Sequence, residues 1–129
     1  MKRFSRQASL LLGLLLAPWI AFGHHTFGYT YNTNQTAEIE GEVIGVQWEN
    51  PHISFSMRTD DGVVWTIESN SPNGMERRTI SREVISVGNR FRLAGFPARD
   101  GSNGMHASNI LLADGREVVL RPGSEPRWE

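Results

Sequence analysis

The sequence contains no cysteine. Disulfides, thiolate zinc sites, thiol nucleophiles and a lipid anchor on an N-terminal cysteine are therefore excluded. Lysine occurs once, as Lys2, which leaves no lysine in the rest of the chain for a Schiff base or a general base. Histidine occurs four times. Metal binding through side-chain nitrogen therefore depends on a small set of imidazoles.

A long hydrophobic run is also missing. The strongly apolar stretch from Leu10 to Phe22 is shorter than the roughly 20 residues of a membrane-spanning helix. Basic residues precede it, and small residues follow at Ala21 and Gly23, an arrangement typical of a secretory signal peptide. The sequence thus predicts a signal peptide over residues 1–23 and a periplasmic or secreted protein with no stable membrane insertion after cleavage. A retained membrane anchor is the alternative.

The chain that would follow this leader is short and acidic. It has 106 residues, enough for one small domain, and its ten arginines face fourteen acidic residues, a net charge of −4. Nucleic-acid binding requires a basic face that neutralises phosphates. The charge balance therefore disfavours a nucleic-acid partner.

The segment from residue 37 onward has the pattern of a β-sheet. Apolar side chains and glycines alternate with glutamates from Ala37 towards Trp48, and Gly41 and Gly45 suit a bent strand. "HISFSMR" alternates apolar and polar residues, and the turn sequence "TDDG" separates it from "VVWTIES". These segments predict a curved first strand followed by a hairpin of the second and third strands.

The pattern changes after the third strand. Ser71 followed by Pro72 is typical of a helix N-cap with proline at the first helical position. Three further strands are predicted in "RFRLAGF", "MHASNILLA" and "REVVL". One helix between the third and fourth strands predicts an all-β, OB-like barrel of five or six strands over residues 37–121. A small β-sandwich is the competing fold.

The two flanks of this barrel are expected to be irregular. Residues 24–36 are rich in asparagine, threonine and aromatic residues, which favours an extended arm without a helix. Residues 122–129 are expected to form a loose tail.

A pair of histidines stands at the predicted cleavage point. Cleavage after Gly23 would leave His24 as the first residue, so its α-amine and its ring Nδ1 could chelate one metal ion, with His25 beside them. Copper binds nitrogen ligands most strongly among the divalent first-row ions. Cleavage one residue earlier would instead place His25 third in the chain, in a square-planar amino-terminal Cu(II)/Ni(II) motif. A polar start to the mature chain without metal is the simplest alternative.

A folded site requires a further ligand on the barrel. His52 in "WENPHISF" is the best candidate, because the apolar set of the second strand begins at Ile53 and leaves His52 facing away from the core. Glu49 is a lower-ranked ligand or an orienting carboxylate. Taken alone, a histidine at this position is more often a hydrogen-bonded structural residue at a strand end than a metal ligand. His106 is ambiguous, and the alternation around it favours an ordinary surface position.

No catalytic constellation is recognisable in the sequence. It has no nucleophile elbow, phosphate-binding glycine loop or HExxH motif. An enzyme would depend on the metal alone, through oxygen activation at open copper positions, so the pattern favours a binding protein. Met75 and Met105 are expected in the core, since methionine usually fills core space.

The order of motifs resembles a family of small exported bacterial proteins catalogued as a domain of unknown function. The resemblance lies in "HHTF", "EGEV", "WENPH", "WTIESNSPN" and "ARDGSNGM" and extends from His24 to about Leu120. It implies no activity. His24, His25, Asn50, Pro51, His52 and the "SPN" of residues 71–73 match its motif positions. His106 does not, and Thr26 stands where the family often has serine.

Two functional hypotheses follow from the sequence. In the first, the protein binds a transition metal through His24, His25 and His52, and the nitrogen donors favour copper. In the second, it is a metal-independent binding module whose face around Trp48, Trp65 and Arg58 holds a partner protein or a small ligand.

Overall fold

The computed structural model describes the backbone of residues 25–128 and the side chains of residues 27–128. The elements follow one another in the order α1 (His25–Thr30), β1 (Ala37–Gln47), β2 (Ser54–Thr59), β3 (Val64–Glu68), α2 (Pro72–Glu76), β4 (Arg90–Pro97), β5 (Gly104–Leu111) and β6 (Glu117–Val119). Neither of the helices in this part of the chain has the length and apolar character needed to cross a membrane. The predicted signal peptide lies outside the described residues.

Five strands close into a barrel. The sheet order is β3-β2-β1-β4-β5-β6, and a parallel pairing of β3 with β5 joins the two ends of the five-stranded part. Closure removes the unpaired sheet edges that an open sheet would expose. The short β6 continues the sheet from β5. The predicted OB-like barrel with five or six strands is confirmed.

The long strand β1 belongs to two halves of the barrel. Its first half pairs with β4 and its second half pairs with β2, with a register shift between Val43 and Gly45. At Gly41 a side chain would collide with the carbonyl of Arg58 on β2. A residue without a Cβ therefore allows the close approach at which the strand changes partners.

The barrel interior is filled by apolar side chains, and each of the strands β1 to β5 contributes to it. The alternation predicted for β2 is confirmed, since Phe55 and Met57 are buried whereas Arg58 is exposed. The core cluster consists of Ile39, Val43, Ile53, Phe55, Met57, Ile67, Met75, Ile80, Ile85, Phe91, Leu93, Met105, Ala107, Ile110 and Leu120. The two methionines that the sequence assigned to the core, Met75 and Met105, are fully buried there.

The predicted helix between the third and fourth strands is α2. Its N-cap is Ser71, whose hydroxyl accepts a hydrogen bond from the backbone N–H of Gly74 at 3.2 Å, and Pro72 is its first residue. Met75 enters the core from this helix. The prediction from the Ser71 cap and Pro72 is therefore confirmed for both the position of α2 and its first residue.

The two flanks differ from the predictions. The arm expected to be extended contains α1, which is stabilised by packing of Phe27 and Tyr31, four residues apart, on the outer face of β5. The tail lacks regular secondary structure but is anchored, because the carboxylate of Glu117 accepts hydrogen bonds from the backbone N–H groups of Arg127 and Trp128 at 2.8 and 3.0 Å. Both differences arise from tertiary contacts that no local pattern encodes.

Candidate functional site

His52 lies at the end of the barrel where the chain enters β2. The next residue, Ile53, is fully buried and exchanges backbone hydrogen bonds with the chain after β3, donating to Asn70 and accepting from Ser69. These bonds fix the backbone on which His52 is carried. The His52 side chain is 52% exposed, as expected for a ring that faces away from the core.

Glu68 orients the His52 ring. The Nδ1 of His52 lies 2.8 Å from Oε1 of Glu68, and because a carboxylate only accepts hydrogen bonds, Nδ1 is the donor. The second ring nitrogen, Nε2, is then the atom left for a ligand. Metal-binding histidines commonly donate their other ring N–H to a carboxylate in this way, which fixes the tautomer and raises the basicity of the ligating nitrogen.

The same carboxylate connects His52 to the N-terminal segment. The hydroxyl of Tyr31 donates a hydrogen bond to Oε2 of Glu68 at 2.6 Å. Burial raises the pKa of Tyr31, and the hydrogen bond to Glu68 raises it further, so the phenol keeps its proton and remains the donor. Glu68 therefore joins the residue that follows α1 to the histidine at the entrance of β2.

The position of α1 on the barrel is fixed by aromatic contacts. The Phe27 ring lies 4.8 Å from the His106 ring in an edge-to-face arrangement and 6.3 Å from Phe96. The guanidinium of Arg121 lies over the Phe27 ring, 3.9 Å from its centre. The side chain of Arg99 also donates to the carbonyl of Gly28 at 2.6 Å. The short helix is thus held by the surrounding tertiary structure.

His106 is buried, so the surface position favoured by the sequence is wrong. It is 6% exposed, and its Nδ1 has no hydrogen-bond partner within the described residues. Its pKa is lowered to about 4, mainly by burial; the charge of Glu68 opposes this shift, and the charge of Arg121 adds to it. The alternation correctly placed His106 outside the barrel interior, but Phe27 and Tyr31 cover that outer face.

Glu68 and His106 are neighbours across two strands. They are paired positions in the parallel ladder between β3 and β5. The structure therefore brings His52, Glu68, Tyr31 and His106 to one end of the barrel. Glu49, which the sequence ranked as a possible orienting carboxylate, is exposed, and Glu68 takes that role.

The two predicted N-terminal ligands lie at the boundary of the described residues. His24 lies outside the described residues, and His25 is described by its backbone, as the first residue of α1. Within residues 27–128, no three histidine, aspartate or glutamate side chains are arranged to hold a metal ion.

A comparison with protein families gives a match over most of the chain. The model of a family of unknown function, DUF6152, matches residues 13–107. The chain belongs to the DUF6152 family. The matched segment contains His24, His25 and His52 and ends directly after His106, so this DUF6152 chain carries all four of its histidines inside the family match. A search of curated proteins found no match.

The residues of the alternative binding face lie at separate places in this DUF6152 protein, two in the β2–β3 hairpin and one after β1. Trp65 pairs with Met57, and Arg58 pairs with Val64, near the turn of the hairpin. Trp48 follows β1 at the other end, where Arg82 lies 5.7 Å from its ring. Both tryptophans are partly buried and pack against the core. The structure thus does not gather Trp48, Trp65 and Arg58 into one patch.

Glu68, Tyr31 and His106 were missed by sequence reasoning. Glu68 could have been found from the predicted hairpin, because the observed register of β2 and β3 sets residue 68 opposite residue 54, close to His52, and a hairpin turn determines its register. Tyr31 and His106 had no such signal, since they meet through the packing of α1 on β5.

Proposed function

We propose that this protein is exported and binds a transition metal, copper by preference, through His24, His25 and His52. The observation that carries the proposal is the hydrogen-bond chain from Tyr31 through Glu68 to His52. It supports the proposal because it holds the segment that begins with the two N-terminal histidines against the end of the barrel that carries the third.

The lengths involved suit a shared site. An α-helix rises about 1.5 Å per residue, so His25, at the start of α1, is separated from Tyr31 by about 9 Å along the helix. Tyr31 reaches His52 through one carboxylate. In the proposed site, His25 would supply one imidazole, and His24 would add a second imidazole and, once the leader is cleaved, a free α-amine.

The state of His52 suits a metal ligand. Its Nδ1 is engaged by Glu68, its ring is about half exposed, and a neutral imidazole presents Nε2 as a lone-pair donor. Copper(II) is well matched to a set of one amine and several imidazole nitrogens. The role this supports is metal storage, delivery or sensing. A metal-independent module that binds a partner protein or a small ligand is the alternative.

The test is a copper titration of the exported protein. Mass spectrometry first establishes whether the chain begins at His24. We then expect near-stoichiometric Cu(II) binding in competition with a chelator, and a loss of affinity of about tenfold or more in His52→Ala, which corresponds to about 1.4 kcal/mol. Arg58→Ala is the control, because this exposed residue lies at the other end of β2.

Three outcomes would count against the proposal. Equal affinity in wild type and His52→Ala would remove His52 from the ligand set. A chain that begins at Gly23 and binds Cu(II) in square-planar geometry would replace the site by an amino-terminal motif. A melting temperature that copper leaves unchanged would favour the metal-independent module.

A further inference from the structure

A second feature lies beside His52, on the side of α2. A cleft of about 310 Å³ opens there between the loop that enters β2 and the first turn of α2. Its walls include His52, Asn70, Ser71, Arg77 and Arg78. No aspartate or glutamate lines it.

The two arginines of the cleft have no carboxylate partner. Among residues 27–128, ion pairs to carboxylates are formed by Arg90, Arg92, Arg116 and Arg127, whereas Arg77 and Arg78 form none. Arg58, Arg82, Arg99 and Arg121 also form none in this part of the chain, so what matters here is that one cleft holds two such arginines. The cleft thus concentrates positive charge that the protein itself leaves without a counter-charge.

Several side chains of the cleft can donate hydrogen bonds to a bound group. Arg78 uses one N–H on the carbonyl of Gly74 at 3.2 Å, which fixes its guanidinium on the wall and leaves other donors of the planar fork. Ser71 accepts from the Gly74 N–H, so its own O–H is left to donate. The Asn70 amide is held by the carbonyl of Leu120 at 2.6 Å. Arginine forks bind carboxylate and phosphate oxygens with matching planar geometry.

We infer that this cleft binds a small oxyanion, with Arg77 and Arg78 as the principal donors and Ser71 as a third. The shared ligand chemistry is a phosphate or carboxylate group, free or carried on a small molecule. The inference goes beyond the proposed metal site and does not need the metal. Because His52 lines the cleft, an anion bound there would also lie next to a metal on that histidine.

The test is a titration of the full chain with inorganic phosphate in the presence of a metal chelator, at constant ionic strength. Amide chemical shifts are followed by NMR. We expect saturable shifts centred on Ser71 and Gly74, with a dissociation constant of about 1 mM or below. Arg77→Gln with Arg78→Gln should weaken binding about tenfold or more. Acetate in place of phosphate distinguishes the carboxylate from the phosphate source.

The controls separate a cleft from general charge attraction. Arg58→Gln removes the same charge from an exposed site at the other end of β2 and should leave the affinity unchanged. If the double variant does not fold, Arg77→Gln alone, at an exposed position, should still weaken binding several-fold. Shifts that do not saturate, or equal weakening by Arg58→Gln, overturn the inference. Since the chelator removes metal, neither result depends on whether His24, His25 and His52 bind copper.

Discussion

Burial of His106 should make the stability of the barrel fall in mild acid. The folded protein holds its pKa at about 4, below the 6.5 of an unperturbed histidine. Between these two pKa values, the unfolded chain binds a proton at His106 and the folded chain does not. Above pH 6.5 His106 is largely neutral in both states, so it does not change the free energy of unfolding. As the pH falls from 6.5 to about 4, the free energy of unfolding decreases progressively.

The size of the effect follows from the shift. Each pKa unit corresponds to about 1.4 kcal/mol, so the full difference amounts to roughly 3 kcal/mol once the pH is below the folded pKa. At pH 5 the loss is about 2 kcal/mol relative to pH 7. That is a large share of the about 5–15 kcal/mol that stabilises a typical domain. The pKa of His106 is low because Phe27 and Tyr31 enclose its ring and because the cation of Arg121 lies nearby.

The assay compares wild type with His106→Leu by urea unfolding at pH 7 and pH 5, with tryptophan fluorescence as the signal. Between these two conditions, wild type should lose about 2 kcal/mol more than the variant. At pH 7 the variant should be about as stable as wild type, because leucine removes a buried nitrogen that has no hydrogen-bond partner in the described part of the chain. His106→Gln also lacks the titrating imidazole, so the extra loss of stability between pH 7 and pH 5 should be absent in this variant too. Equal pH dependence in wild type and both variants would refute the reasoning.

Three further substitutions test the contacts that shape the site. Gly95→Ala should destabilise the barrel by about 1–3 kcal/mol in urea unfolding, because a side chain there would collide with the His106 carbonyl. Tyr31→Phe should cost about 1–2 kcal/mol and weaken copper binding, since Glu68 loses one of its two partners. Glu117→Gln should release the C-terminal tail. Amide hydrogen exchange should then be faster at Arg127 and Trp128, whose backbone N–H groups donate to this carboxylate in wild type.

Matched controls exist for the first two substitutions. Gly45→Ala adds a methyl group where no atom lies within 4 Å and should cost much less than Gly95→Ala. Tyr29→Phe removes a hydroxyl from a side chain that is 80% exposed and should change neither stability nor copper affinity. Comparable effects in control and test variants would show that the named contacts are not the cause. Unchanged tail exchange in Glu117→Gln would contradict the anchoring role of that carboxylate.

Local sequence patterns were enough to predict the barrel and the position of one histidine of the site. Period-two alternation sorts β2 into a buried and an exposed face, and the Ser71–Pro72 cap starts α2, because both signals are local to the backbone. The same alternation placed His52 outside the core, with Ile53 as the first buried residue of its segment.

Tertiary structure decided what surrounds that histidine. Glu68 reaches His52 through the pairing of two strands, and Tyr31 reaches Glu68 because α1 packs on β5. His106 became buried for the same reason, since alternation distinguishes the two faces of a strand but does not indicate what covers the outer one. Contacts between residues 37 positions apart depend on how the closed sheet and its flanks pack, and a short sequence window contains no information on that packing.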